Sequence, residues 1–289
     1  DQLCALSKQG KELVLVSSGA IRAGMETLGI TVRPRSIAML QAACAVGQGK
    51  LMKVYEEVFM DRSLTVAQVL LTRDDFRHRV RYINGRNTLM SLLKLKCLPI
   101  VNENDTVATE EIKFGENDTL SALVAACVDA DLLINLSDID GLYNADPRKS
   151  DTCELIEEVS EITPELEEIA GGAGNCGSGG MRSKLEAAKI AMNSGVRMVI
   201  AHASRPNVII DVASGMSVGT RFLSSPAELS HRKRWIAFAD KSRGDLVVNE
   251  GARKMLTEKG KSLLAAGIIA CDGDFREGDL VSVVDENGM

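Results

Sequence analysis

The sequence predicts an α/β protein in which a mostly parallel β-sheet is sandwiched between helices and is followed by a small β-rich domain. From Lys11 onward, short β-branched runs alternate with helical patterns, as expected for parallel strands joined by crossover helices. Apolar residues make up 45% of the 289 residues but aromatic residues only 3%, which favours a core of small aliphatic side chains. The length exceeds that of one typical domain, so we expect one large domain followed by a smaller one.

The elements of the large domain follow from periodicity and turn residues. Strands are expected at residues 12–17, 65–71, 98–101, 132–136 and 196–201. Helices are expected at residues 20–28, 36–59, 83–95, 120–128, 164–169, 181–194 and 207–213. Residues 106–114 alternate with a period near two and are expected to form a hairpin over the sheet edge.

The composition changes after Phe222, where a serine-rich and then strongly charged stretch indicates a linker. We therefore predict a large domain at residues 1–223, a linker at 224–231 and a small domain at 232–289. Short strands at 235–239, 244–248, 267–271 and 279–284, with one helix at 251–259, are expected in the small domain.

Composition narrows the class of function. The net charge is −6 without a strongly basic segment, so small-molecule chemistry is favoured over tight binding to a polyanion. The three histidines lie far apart and the seven cysteines form no C-x-x-C pair, so no structural or catalytic zinc site is expected and no metal-ligating residues are predicted. No apolar run reaches the roughly 18 residues that span a bilayer, and no signal segment opens the chain, so we expect a cytoplasmic protein without membrane contact.

Three polar segments follow predicted strands or the predicted hairpin, where ligands of parallel sheets bind. Ser17-Ser18-Gly19-Ala20 opens a helix whose backbone amides could hold a carboxylate or phosphate, although an ordinary serine N-cap is the alternative. Asn102-Glu103-Asn104-Asp105 and Gly115-Glu116-Asn117-Asp118 flank the predicted hairpin. Their two Asn–Asp pairs could grip an amino acid, whereas two solvated turns would use the same residues.

A glycine loop spans residues 171–180 and leads into the helix that carries Lys184. It contains a G-x-G-x-x-G match at Gly172, Gly174 and Gly177, but that match follows a predicted helix, so a dinucleotide site is rejected. No Gly-Lys-Ser/Thr closes the loop, which excludes a P-loop. Backbone amides and one lysine at a helix start suit the outer phosphates of ATP; a disordered surface loop is the alternative.

These segments together resemble the glutamate 5-kinase family of the amino-acid kinase superfamily over essentially the whole chain. Residues 232–236 and 278–281 resemble the PUA domain that many microbial members append. The resemblance implies the amino-acid kinase fold and ATP-dependent phosphorylation of the γ-carboxylate of L-glutamate to glutamyl 5-phosphate, the first step of proline biosynthesis. The segments that carry it are 16–21, 45–48, 68–72, 101–105, 117–118, 138–148 and 178–184.

The resemblance also implies roles for individual residues. The residues implied to bind glutamate are Ser18, Gly19, Asp105 and Asn117. The residues implied to bind ATP are Ser137, Asp138, Ser178, Gly179, Gly180, Met181, Arg182, Ser183 and Lys184. Lys184 and Asp118 are implied to take part in catalysis, with Asp118 positioning the cationic groups. Mg²⁺ with ATP, feedback inhibition by proline, and a homodimer or homotetramer follow from the same resemblance.

The chain also departs from the family pattern. Glu116 stands where Asp is usual and Ser178 where Thr is usual, and the glycine loop is one residue shorter. The family begins with a strand that carries a lysine and a Gly-Ser or Gly-Thr turn, and we expect that segment to precede Asp1. The PUA-like module is expected to continue beyond Met289, so the fold is expected to be truncated at both termini.

Two other functions remain alternatives. The first is another kinase of the superfamily, acting on uridylate, carbamate, aspartate or acetylglutamate, against which the PUA-like tail and Asn102-Glu103-Asn104-Asp105 argue. The second is RNA binding through the C-terminal module. Residues 232–289 contain ten Lys or Arg and ten Asp or Glu, so that module has no basic excess to support RNA binding.

Overall fold

The computed structural model describes residues 1–62, 64–108, 117–145, 153–171, 180–224, 242, 244–276 and 280–285. The chain divides into two compact units. The first comprises Asp1–Arg73 and Asn84–Leu229, and the second comprises Asp74–Ile83 and Ser230–Met289. Among the described residues, none of the helices combines the length and the hydrophobicity needed to cross a membrane.

Nine helices and seven strands are interspersed along the described residues up to Phe222. The helices are α1 (Gln2–Lys8), α2 (Ala20–Thr27), α3 (Ile37–Met60), α4 (Arg73–Arg77), α5 (Arg79–Lys94), α6 (Asn117–Cys127), α7 (Pro164–Gly171), α8 (Met181–Asn193) and α9 (Val208–Ala213). The strands are β1 (Leu15–Val16), β2 (Val66–Leu71), β3 (Leu98–Glu103), β4 (Leu132–Ser137), β5 (Glu158–Val159), β6 (Arg197–His202) and β7 (Thr220–Phe222).

The strands of the first unit form two sheets that are mostly parallel. One has the order β1-β3-β2 and is parallel throughout. The other has the order β4-β6-β7-β5, in which only β6 and β7 pair antiparallel. The predicted fold class is therefore confirmed. Because neighbouring parallel strands point the same way, the residues that follow β1, β2 and β3 leave the first sheet at one edge.

Helix α6 is buried along its length and joins the two sheets. Every residue from Thr119 to Cys127 is buried, which small and aliphatic side chains all round a helix allow. The helix contacts β1, β3, β4 and α8. Its first residues, Asn117 and Asp118, are consequently held by packing on several sides.

Helices α2 and α3 cross at very short range through two glycines. A Cβ atom at Gly24 would lie 1.7 Å from the carbonyl oxygen of Ala43, and one at Gly47 would lie 1.7 Å from that of Ala20. No side chain fits at either position, so the two glycines let the backbones touch. This crossing sets α3 beside the start of α2 and the end of β1.

Most predicted elements of the first unit are present, with shifted ends. Strand β1 covers only Leu15–Val16, whereas β3 continues through Asn102 and Glu103, which were expected in the following loop. Both of these polar side chains are buried, so β3 extends into a segment that the sequence alone suggested was an exposed loop. The sequence missed β5, β7 and α4 because two to five residues are too few to show a periodicity. Of the predicted hairpin, Thr106 and Val107 lie in a turn, and residues 109–114 lie outside the described part.

The second unit contains a small sheet with the order β10-β8-β9. Strands β8 (Gly244–Val248) and β9 (Ile268–Gly273) pair antiparallel, and β10 (Ser282–Val284) pairs parallel with β8. Helix α10 (Glu250–Thr257) begins after Asn249, whose side-chain oxygen accepts a 2.8 Å hydrogen bond from the Ala252 amide. The predicted strand at 235–239 and linker residues 225–231 lie outside the described residues.

Candidate active site

Asp118 joins three elements of the first unit through its carboxylate. It lies in the first turn of α6, where the helix dipole favours a negative charge. Its Oδ1 atom accepts a 2.7 Å hydrogen bond from the Asn135 amide in β4. Its Oδ2 atom accepts hydrogen bonds from the Ser183 hydroxyl at 2.7 Å and the Lys184 ammonium at 3.0 Å. One carboxylate therefore ties the start of α8 to α6 and β4.

The Lys184–Asp118 ion pair is largely removed from solvent. The two side chains are 13% and 19% exposed, so their attraction is screened much less than that of a surface pair. Lys184 lies in the first turn of α8, which begins after Gly180. A fixed cation beside a helix N-terminus is an arrangement that can stabilise a transferring phosphoryl group.

The glycine loop leads directly to this cation. Gly180 is the N-cap residue of α8, and the exposed Arg182 follows Met181 at its start. The Ser183 hydroxyl lies 2.9 Å from the Gly180 carbonyl oxygen as well as close to Asp118. Ser178 and Gly179 lie outside the described residues, so their predicted contacts with ATP stay predictions.

The carboxyl end of β4 presents a second polar group. Asn135 and Ser137 are two residues apart, so both side chains project from the same face of the strand, and both are buried. The Ser137 hydroxyl donates a 3.2 Å hydrogen bond to the exposed Asp138 carboxylate. Asn135 of β4 holds Asp118, which in turn contacts Lys184. The predicted nucleotide residues are therefore at the end of the same strand, Ser137 as its last residue and Asp138 directly after it.

The residues predicted to bind glutamate leave β1 and β3 at a shared edge. Ser18 and Gly19 are exposed directly after β1, and Gly19 is the N-cap of α2 with a φ of +98° that favours glycine. Asp105 follows β3, the parallel neighbour of β1. Asn117 begins α6, which contacts both strands. The parallel strands thus place Ser18, Gly19 and Asp105 at one edge, and Asn117 begins a helix that packs on the same strands, while the roles of these four residues stay predictions.

Among the buried polar atoms that have no hydrogen-bond partner in the described part of the chain are Oδ1 of Asn117 and Nδ2 of Asn102, both near this edge. Burying an unpaired polar group costs about 1–3 kcal/mol, so such atoms commonly mark ligand contacts. One is an acceptor and the other a donor, which suits the ammonium and carboxylate groups of an amino acid.

Helix α3 supplies a polar face that the sequence analysis missed. Gln41 donates to the Ala108 carbonyl at 3.0 Å, the Cys44 thiol to Asp105 Oδ2 at 3.0 Å, and Gln48 to the Glu103 carbonyl at 3.4 Å. These residues recur every three to four positions, so they share one side of the helix. The helical spacing of Gln41, Cys44 and Gln48 was the available signal.

Tyr55, on the same helix, extends this face to β1. Its hydroxyl lies 2.7 Å from that of Ser17, the residue directly before Ser18. Ser17 is itself buried, and its amide donates to the Val101 carbonyl of β3 at 2.8 Å. The turn that leads to Ser18 is therefore anchored on both a strand and a helix.

A cavity of about 510 Å³ lies elsewhere in the first unit. Lys8, Lys11, Lys94 and Lys96 are among its lining residues, and none of the predicted site residues lines it. Lys8 and Lys94 end α1 and α5, where positive charges complement the helix dipoles. Two of the four lysines thus have a structural explanation, and the predicted site stays at the carboxyl ends of the strands.

Comparison with known proteins agrees with this architecture. Residues 1–202 match the amino acid kinase family, and residues 244–289 match the PUA domain. The structure of a uridylate kinase from Archaeoglobus fulgidus superposes with a TM-score of 0.50 at 18% identity, covering 76% of this chain and 89% of that chain, which supports the fold. The chain belongs to the amino acid kinase family.

Relatives with higher sequence identity show which family of amino acid kinases the chain belongs to. Glutamate 5-kinase of Caldanaerobacter subterraneus subsp. tengcongensis is 51% identical over 288 residues, which are 99% of this chain and 77% of the relative. Glutamate 5-kinase of Moorella thermoacetica is 51% identical over 280 residues, covering 96% of this chain and 74% of the relative. The chain belongs, with them, to the glutamate 5-kinase family, so the predicted resemblance is confirmed.

Proposed function

We propose that this chain catalyses the ATP-dependent phosphorylation of the γ-carboxylate of L-glutamate, the first step of proline biosynthesis. The observation that carries the proposal is the identity of about half of all residues, over almost the whole chain, with relatives named glutamate 5-kinase. The contacts around Asp118 and Asp105 supply a physical account of how such a reaction would proceed.

The acceptor needs no general base. A glutamate side chain has a pKa of about 4.3, so it is already ionised at neutral pH and can attack the γ-phosphorus of ATP directly. The barrier lies in bringing one anion up to another. Catalysis therefore rests on positioning and on cationic stabilisation of the phosphoryl oxygens, as in other phosphoryl transfers.

Lys184 is the cation assigned to this stabilisation. Its 3.0 Å contact with Asp118 holds the ammonium in one place, so little reorganisation is needed when charge moves between the oxygens. Asp118 acts through Lys184 as a positioning residue. The backbone amides at the start of α8 would add donors for the same phosphates.

The glutamate side is assigned to the edge formed by β1, β3 and α6. The Asp105 carboxylate and the buried Asn117 Oδ1 are acceptors for the substrate ammonium, while Ser18 and the amides near Gly19 are donors for its α-carboxylate. An amino acid held by its α-ammonium and α-carboxylate at this edge would leave its side chain free to direct the γ-carboxylate toward Lys184.

Ser137 and Asp138 are assigned to the adenine and ribose side of ATP, and Mg²⁺ is proposed to arrive with the nucleotide. Among the described residues, no group of three His, Cys, Asp or Glu side chains could hold a metal ion by itself. Phosphate oxygens are ligands that Mg²⁺ prefers, so ATP would supply them. Bound there, the ion would neutralise part of the phosphate charge.

The remaining assignments concern organisation. Domain limits of 1–223, 224–231 and 232–289 are supported by family matches that end at 202 and begin at 244. A cytoplasmic location is supported by the described cysteines, all of which are free thiols. A homodimer or homotetramer is supported by exposed apolar residues on α3, among them Met39, Val54 and Val58. Proline is proposed to inhibit at or beside the glutamate pocket.

The test is a coupled assay of ADP release by the purified full-length protein with ATP, Mg²⁺ and a panel of acceptors. The panel contains L-glutamate, L-aspartate, acetylglutamate, carbamate and uridylate. Release that depends on L-glutamate, with trapping of the acyl phosphate by hydroxylamine, is expected. Release with another acceptor but not with glutamate would refute the proposal and favour a different kinase of the superfamily. A salt-sensitive RNA complex without any kinase activity would favour RNA binding through the second unit.

A further inference from the structure

We infer that Cys44 is a positioning residue that orients the Asp105 carboxylate for the ammonium group of the amino-acid substrate. The inference rests on the proposed function, because that function gives Asp105 its substrate. Cys44 lies on α3, one turn before Gln48, and its thiol faces the residues that follow β3.

The hydrogen bonds around Cys44 determine the direction of its S–H bond. The Gln48 side-chain amide donates to Cys44 Sγ at 3.7 Å, so the sulfur accepts on that side. On the other side, Sγ lies 3.0 Å from Oδ2 of Asp105. An ionised carboxylate has no proton to donate, so the thiol proton must point at Asp105.

Gln48 is itself held in place. Gln68 on β2 donates to Gln48 Oε1 at 3.4 Å, and Gln48 donates to the Glu103 carbonyl at 3.4 Å. An amide whose oxygen accepts from Gln68 must turn its nitrogen toward Cys44 and β3. A series of hydrogen bonds therefore runs from Gln68 on β2 through Gln48 and Cys44 on α3 to the carboxylate of Asp105.

The surroundings keep the thiol in its donor form. Cys44 is fully buried. Burial, together with the neighbouring Asp105 carboxylate, raises the pKa of the Cys44 thiol to about 12. The thiol thus stays protonated at neutral pH, and it donates to Asp105 without neutralising the charge that a substrate ammonium requires.

Kinetics of two variants test the inference. Cys44→Ala removes the donor and should raise the KM for glutamate about 3- to 10-fold, the range of one net hydrogen bond, with kcat and the KM for ATP within about twofold. Cys44→Ser keeps a donor and should return the KM for glutamate to within about threefold of that of the parent chain. Cys4→Ala is the matched control, because Cys4 is also buried but packs in an apolar cluster with Met52 and Phe59.

A spectroscopic measurement tests the contact without substrate. The infrared difference spectrum between the parent chain and Cys44→Ala should contain an S–H stretching band shifted to lower frequency by a strong acceptor. Asp105→Asn should move that band back toward the position of a weakly bonded thiol. These readouts do not depend on catalysis, so they separate failure of the contact from failure of the proposed function.

The outcomes are distinct. A shifted band with a selective rise in the KM for glutamate supports the inference. An unshifted band, or a Cys44→Ala variant that behaves like Cys4→Ala in all kinetic constants, overturns it. If the parent chain releases no ADP with glutamate, the proposed function fails and the role in glutamate binding falls with it, while the band still decides whether Cys44 donates to Asp105.

Discussion

The ion pair of Asp118 and Lys184 offers the sharpest test of the site. Asp118→Asn keeps the size of the side chain but removes the charge that holds the ammonium. Lys184 is only 13% exposed, so water can solvate the stranded charge poorly. Removing one partner of a buried pair costs about 3–5 kcal/mol; partial exposure and the remaining amide oxygen reduce the expected loss of unfolding free energy to about 2–4 kcal/mol.

Compared with Asp118→Asn, the Lys184→Met variant should lose less unfolding free energy but show a similar fall in kcat. It leaves the Asp118 carboxylate with two neutral donors, Asn135 and Ser183. The expected loss of unfolding free energy is therefore smaller, about 1–3 kcal/mol. Both variants should lower kcat by at least about 100-fold, with the KM for glutamate changed less than about threefold, because the cation acts mainly on the transition state.

Glu167→Gln provides the matched control. It breaks the ion pair between Glu167 of α7, whose side chain is 49% exposed, and Lys189 of α8, whose side chain is 43% exposed. An exposed pair contributes at most about 1 kcal/mol, and this one lies outside the proposed site. Urea unfolding and glutamate-dependent ADP release should be measured on all three variants. An Asp118→Asn variant that is as stable and as active as Glu167→Gln would refute the role assigned to this ion pair.

Three further predictions concern the glutamate side and its support. Asp105→Ala should raise the KM for glutamate about 10- to 100-fold and that for ATP much less, because a charged hydrogen bond contributes about 1.5–3 kcal/mol; equal rises in steady-state assays would instead indicate misfolding. Since the Cys44 pKa rises from 9.0 to about 12 on folding, the folded state retains a proton that the unfolded state loses, and stability falls as pH rises through this window. Urea unfolding should show the parent chain losing about 2 kcal/mol more than Cys44→Ala between pH 8 and about 10.5, and equal losses would contradict the raised pKa, which burial and then the Asp105 carboxylate cause. Gly47→Ala should lower the unfolding free energy by about 1–3 kcal/mol or prevent folding, because its Cβ atom would meet the Ala20 carbonyl oxygen. Gly49→Ala is the control on the same helix, because its Cβ atom would meet nothing within 4 Å and should not destabilise the protein. Similar melting temperatures of the two variants would argue against the close crossing of α2 and α3.

Much of the local structure could be predicted from the sequence, because periodicity and turn residues act over short distances. The start of α8 at Met181 and the position of Lys184 in its first turn follow from glycine punctuation and helical spacing. The limits of β3 could not be predicted, since Asn102 and Glu103 look like loop residues until their burial is known. Short strands such as Thr220–Phe222 gave no periodic signal at all.

The residues of the candidate site could likewise be predicted only in part from the sequence. The sequence identified Asp118 as a polar residue just past the predicted hairpin and Lys184 as a cation just past a glycine loop, and the resemblance supplied their expected roles. It gave no indication that Asn135 and Ser183 share the Asp118 carboxylate. It also left Cys44 as one of several scattered thiols, because nothing in the local pattern connects it to Asp105, which lies 61 residues away along the chain.

By itself the sequence determined the fold class, the family and the kinds of side chain at each strand end. These depend on local hydrophobic patterns and on short motifs, both of which can be read directly from the sequence. Only the tertiary structure decided which of those groups meet. Hydrogen bonds and ion pairs are directional and act within about 3 Å, so their partners depend on helix crossings such as that of Gly24 and Gly47. Packing of α3 and α8 against the sheets determines which donors lie within hydrogen-bond distance of Asp105 and Asp118. The donor–acceptor distances cannot be predicted from any pattern in the sequence.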